Sequence, residues 1–214
     1  MARRESYRDV ANKFDPVKFV DPYTAHYFFE FEITTMQSPL SRQLFLYHLP
    51  FYMWPFTAKA GNELKVGDTA PAFELIDQYQ KVHTLADYAG KWVVVYFYPK
   101  DDTPGCTTEA CNFRDDIFTI HELNAEVLGI SLDSAESHAK FAGKHGLPFP
   151  LLSDADKKTA EKYGCLTSLG PVKFARRHTF IINPEGKLAK IYRDVKPKRH
   201  SRDVITDLRS LQKL

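Results

Sequence analysis

Residues 92–111 read WVVVYFYPKDDTPGCTTEAC, and this stretch decides the fold. Its first part, Trp92–Tyr98, is an unbroken run of β-branched and aromatic residues. Such a run is the pattern of a central strand covered on both faces. Pro99 ends it and a polar loop follows. A helix is then predicted from about Cys106 to Leu123, with Phe113, Ile117 and Ile120 on one face. In open α/β sheets, ligand sites gather where a strand hands over to a helix in this way.

Outward from this unit the pattern stays regular. Phe73–Asp77 reads as a short strand and Glu126–Leu132 as a longer one. Ser134 can cap a helix that ends near Gly146. Another helix is predicted around Asp156–Tyr163, ending at Gly164. His178–Asn183 and Lys187–Arg193 read as strands on either side of the turn Pro184, Glu185, Gly186. A last helix starts after Ser201, with Val204, Leu208 and Leu211 marking its buried face. Strands alternating with helices and ending in a hairpin predict an α/β fold, a central mixed sheet with helices on both faces.

The 214 residues suffice for one well-buried domain with an extension, and the chain divides near Gly61. Residues 1–62 form an N-terminal extension and residues 63–214 the domain. Of the 29 aromatic residues (16 Phe, 11 Tyr, 2 Trp), 14 lie in the first 60 positions. Pro16, Pro22, Pro39, Pro50 and Pro55 interrupt any period there. A flexible linker is not this aromatic, so the extension reads as a segment that docks on a surface. Its apolar run Leu44–Phe56 is too short to span a bilayer as a helix. With Arg42 before it and Ala58, Lys59, Ala60 after it, the run also mimics a secretory signal starting at Met36. His48, Pro50 and Pro55 weaken that reading. Membrane contact by residues 44–56 is the alternative to docking.

A net charge of +2 points to neither nucleic acid nor acidic lipid as a partner. Lys196, Lys198, Arg199 and Arg202 read as a solvated loop running into the last helix. Three cysteines are odd in number and too few for a secreted disulfide framework. They suit a cytoplasmic protein or a redox enzyme. A signal or anchor at residues 36–60 would instead make the chain exported or membrane-associated. The histidines show no metal-ligand spacing, and His138 and His145 read as surface residues, so no metal site is expected.

Cys106 is the residue that points to chemistry. In the first turn of a helix it faces unpaired backbone N–H groups and the positive end of the helix dipole. Both favour the thiolate, the form that attacks electrophiles. Thr103 can place a hydroxyl beside the sulfur, Gly105 lets the backbone approach closely, and Pro104 starts the turn without wasting an N–H. A buried structural thiol is the competing reading, and the polar loop Lys100–Thr103 argues against it.

These residues resemble the peroxiredoxins. The family signature P-x-x-x-T/S-x-x-C appears here as Pro99, Thr103 and Cys106 in PKDDTPGC. The second cysteine in GCTTEAC is similar to the bacterioferritin comigratory protein subfamily, also called PrxQ. The resemblance runs from about Leu64 to Leu214, with LKVGDTAPAFEL at its start and FIINPEGKL near its end. It implies a thioredoxin-like fold, no cofactor, and a thiol peroxidase acting on hydrogen peroxide and organic hydroperoxides. It implies that Cys106 becomes a sulfenic acid and condenses with Cys111. A thioredoxin or similar dithiol would reduce that bond. It also implies an arginine before a late strand. The spacing to Thr179 and Phe180 selects Arg177 over its neighbour Arg176.

Two residues five apart on an ideal helix lie roughly 8–9 Å apart at Cα. A disulfide tolerates no more than about 7 Å. The first turns of the helix must therefore unwind for Cys106 and Cys111 to join. Cys165 is expected to be a structural thiol, and Glu109 to favour the helix dipole from the first turn. A disulfide oxidoreductase on the same fold would want C-x-x-C, which is absent. A redox sensor or chaperone-like binding protein that uses the aromatic extension is the non-enzymatic alternative.

Overall fold

The computed structural model describes residues 63–213. The docking segment and the apolar run expected within residues 1–62 lie outside them. The elements are β1 (Glu74–Ile76), β2 (Val82–Thr84), a 3-10 turn at Leu85–Tyr88, β3 (Trp92–Phe97), α1 (Pro104–Glu122), β4 (Ala125–Ser131) and α2 (Ala135–His145). There follow β5 (Leu151–Ser153), α3 (Lys158–Lys162), β6 (Leu166–Leu169), β7 (Val172–Ala175), β8 (His178–Ile182), β9 (Leu188–Tyr192) and α4 (His200–Gln212).

Seven strands form one mixed sheet in the order β2-β1-β5-β4-β3-β8-β9. The run that decides the fold is its centre. β3 pairs parallel with β4 from Trp92↔Ala125 to Phe97↔Ile130, and antiparallel with β8 from Val93↔Ile182 to Phe97↔His178. Both faces of β3 are buried, as its unbroken apolar sequence requires. Val94, Tyr96 and Tyr98 pack under α1, α2 and α4, against Phe113, Phe141, Val204 and Leu208. Val93, Val95 and Phe97 pack on the other side against Phe73, Leu152, Tyr163 and Phe180, with α3 over that face.

Helix ends follow local chemistry. Pro104 opens α1, two residues before the predicted start. Ser134 caps α2 by accepting from the Ser137 N–H at 3.3 Å, and Gly146 closes it in the left-handed region at φ 62. Several expectations give way. Leu211 is 36% exposed, and Ile205 joins Val204 and Leu208 on the buried face of α4. His138 is not a surface residue but completely buried, with Nδ1 2.9 Å from Asp101 Oδ2. β2 and β5, three residues each, were not expected. The separate hairpin of β6 and β7 was also missed. Its outer residues are exposed, so its alternation carries no apolar signal.

Candidate active site

The sheet register sets the site. Phe97 is level with His178, so the residue before β8 lies beside the loop that leaves β3. That residue is Arg177. Thr103 is the N-cap of α1 with extended backbone, and Pro104 takes the first helical position. Cys106 follows in the first turn, 1% exposed. The Arg177 Nη2 donates to Cys106 Sγ at 3.1 Å. A Cβ on Gly105 would sit 3.2 Å from the same nitrogen, so the guanidinium uses the space that glycine leaves.

Arg177 also forms an ion pair, through Nη1, with Glu109 Oε2. Glu109 corrects the sequence reading. It lies beyond the first turn of α1, is 1% exposed, and grips the arginine instead of serving the helix dipole. Burial pushes its carboxyl up to about 7, against the pull of Arg177. Its Oε1 has no hydrogen-bond partner among the described residues. His200 Nε2 lies 4.0 Å from that oxygen and bonds Thr179 Oγ1 at 2.8 Å. Burial holds the His200 imidazole down at about 4.

The other expected residues are placed as follows. Pro99 is half-buried at the mouth of the loop. The Thr103 hydroxyl donates to the Lys100 carbonyl at 3.0 Å, so its recorded bond braces the loop and does not reach the sulfur. Cys111 is half-buried on the same unbroken helix as Cys106, and all three cysteines are free thiols. Cys165 is fully buried, with Sγ 3.6 Å from the Tyr163 carbonyl and 3.7 Å from His178 Nδ1. Burial pushes its thiol well up, which suits an inert structural cysteine. Arg176 is exposed, and among the described residues its side chain bonds Thr167 at 3.4 Å. Sequence reading missed the Glu109–Arg177 pair. The available signal was the three-residue spacing of Cys106 and Glu109, which puts both on one helix face.

The site thus sets a thiol at a helix start with a guanidinium on its sulfur. The family model described as AhpC/TSA matches residues 66–191. The chain belongs to the AhpC/TSA family. Within it, peroxiredoxin Bcp of Bacillus subtilis is 43% identical over 152 residues, 69% of this chain and 97% of that protein. A PrxQ mutant from Xylella fastidiosa superimposes with a TM-score of 0.66 at 35% identity, covering 70% of this chain and 98% of that one. The bacterioferritin comigratory protein of Xanthomonas campestris, studied for alkyl peroxide reduction, matches with a TM-score of 0.62 at 35% identity. It covers 64% of this chain and 90% of that one. This AhpC/TSA member is a peroxiredoxin of the Bcp/PrxQ type on a thioredoxin-like fold, an enzyme that reduces peroxides with a thiol. Among the described residues, no helix is long and apolar enough to cross a membrane.

Proposed function

We propose that Cys106 is the peroxidatic thiolate, that Arg177 activates it, and that Cys111 resolves the product. The observation that carries this reading is the 3.1 Å contact from Arg177 to the Cys106 sulfur at the start of α1. The thiolate attacks the distal oxygen of a hydroperoxide. The O–O bond breaks, the distal oxygen stays on sulfur as a sulfenic acid, and the proximal oxygen leaves and takes a proton to become water or an alcohol. Fixed N–H donors on Arg177 meet the charge that develops on the oxygens. Pro99 and Thr103 shape the loop in front of the sulfur.

Cys111 then condenses with the sulfenic acid, and a thioredoxin-like dithiol reduces the disulfide by exchange. Substrates are hydrogen peroxide and organic hydroperoxides, the latter in line with the alkyl peroxide reduction studied in the Xanthomonas campestris relative. The paucity of cysteines favours a reducing, cytoplasmic setting. Residues 63–214 carry the chemistry, and residues 1–62 are a separate docking segment. The test is steady-state peroxide turnover with a thioredoxin system. Cys106→Ser should abolish it, because a hydroxyl supplies almost no anion near neutral pH. Substantial turnover in that variant rules out the assignment.

A further inference from the structure

The loop between β3 and α1 is fastened to α2 by a buried carboxylate that the attack chemistry does not use. Asp101 is 7% exposed. Its oxygens accept from the Tyr98 hydroxyl at 2.8 Å, the Ser137 hydroxyl at 2.7 Å and His138 Nδ1 at 2.9 Å. Since a carboxylate only accepts, Nδ1 of His138 carries the hydrogen. The Asp101 N–H donates in turn to Asp133 Oδ2 at 3.0 Å. Asp102 adds bonds to Lys144 Nζ at 2.9 Å and His145 Nε2 at 3.0 Å. Those lie at the surface and hold less firmly. Among the described residues, no hydrogen bond joins this cluster to Cys106.

The far end of the reacting segment is held as well. Asn112 Nδ2 donates to the Pro197 carbonyl at 2.9 Å, and Phe113 is completely buried. Cys106 and Cys111 therefore lie on a stretch of chain fixed at Asp101 and again at Asn112.

We propose that Asp101 is a positioning residue of the resolving step. Its bonds to Tyr98, Ser137 and His138 make it the pivot about which the first turns of α1 unwind to bring Cys106 onto Cys111. The inference rests on the assignment of that cysteine pair above. In the step, the Cys111 sulfur attacks the sulfenic sulfur of Cys106. The S–S bond forms, the S–O bond breaks, and hydroxide leaves as water with the proton of the Cys111 thiol. Ahead of the turns of α1 that unwind, the moving chain runs from the pivot to Cys106. From Asp101 that is about five residues, a reach of roughly 17 Å at full extension. Without those side-chain bonds Asp101 keeps only its backbone bond to Asp133, and the chain is looser back towards Tyr98, about eight residues. The larger volume open to the sulfur slows closure by up to about twofold.

The experiment uses the full-length chain with Asp101→Asn and, as a milder change at a half-buried hydroxyl, Ser137→Ala. Rapid quenching and mass spectrometry follow the sulfenic acid, the Cys106–Cys111 bond and the sulfinic acid after a peroxide pulse. Attack should keep its parental rate, because Arg177 and Glu109 hold the reduced site from the other side. Bond formation should slow by up to about twofold, and the sulfinic fraction should rise at matched peroxide. Equal slowing of both steps would reduce the cluster to a general structural support and overturn the proposal. So would unchanged or faster bond formation in a folded variant, the latter marking the cluster as a brake. A parent that forms no Cys106–Cys111 bond overturns the cysteine assignment and the pivot with it.

Discussion

Arg177 holds two groups that compete for its charge, the Cys106 sulfur at 3.1 Å and the Glu109 carboxylate. Its removal takes a fixed donor from the place where negative charge develops. Arg177→Ala should therefore raise the barrier to peroxide attack by about 2.7–4 kcal/mol, a loss of roughly 10²–10³ in rate. Arg176→Ala should be mild, since that side chain is exposed and, among the described residues, hydrogen-bonds Thr167 alone. Stopped-flow peroxide consumption by the reduced variants measures both, and reversed effects would move the active arginine by one position. At this scale the sequence was informative wherever partners are close in the chain. Pro99, Thr103 and Cys106 stand out because they fall in the signature that the family resemblance supplies. Glu109 did not, because its partner lies 68 positions away and only the register of β3 with β8 brings them together. His138 was misread for the same reason. Seen along α2 it is one more polar residue, and the Asp101 that buries it sits 37 positions earlier.

At the scale of elements, α1 and α4 carry the next expectations. Cys106 and Cys111 share an unbroken helix, so their union requires it to open. Cys111→Ser should keep one fast round of peroxide reduction and lose recycling by thioredoxin. After stoichiometric peroxide, mass spectrometry should find sulfenic or overoxidised Cys106 in this variant and a Cys106–Cys111 bond in the parent. A parental bond to Cys165 would overturn the resolving assignment. α4 brings His200 under the site, where burial holds its imidazole at about 4 against an ordinary 6.5. Between those values the unfolded chain binds the extra proton, so His200 removes stability as pH falls from about 6.5 to 4. Glu109 works the other way. Held up at about 7, it is protonated in the fold before it would be in the unfolded chain, and it adds stability as pH falls from 7 towards 4.5. In His200→Asn the His200 loss should disappear while the Glu109 trend stays. Urea midpoints at pH 7 and pH 4.5 should then shift in favour of the acid condition relative to the parent, by on the order of 3 kcal/mol. The long elements were legible because each shows its period over several turns or pleats. β2 and β5, at three residues, have none to show, and they find their places only by pairing with β1 and β4.

For the whole molecule, the motif residues lie after residue 63, and the described residues hold two core clusters of their own. A chain starting near Gly61 should fold and keep peroxide attack, since β3, the start of α1 and Arg177 are all retained. Circular dichroism and single-turnover kinetics check this, and a folded but unreactive product would mean that residues 1–62 build part of the site. Gel filtration should report a change in solubility or association if an apolar patch is uncovered. The unbroken α1 also bears on the energetics of the full cycle. In the proposed cycle, forming the Cys106–Cys111 bond means giving up helix, and reducing it gives that helix back. The free energy of refolding is thereby added to the driving force for reduction. Every 1.4 kcal/mol of helix stability lifts the midpoint potential of the couple by about 30 mV. The folded helix thus acts as a spring that is compressed by peroxide and released by the reductant, which keeps the disulfide a ready electron acceptor.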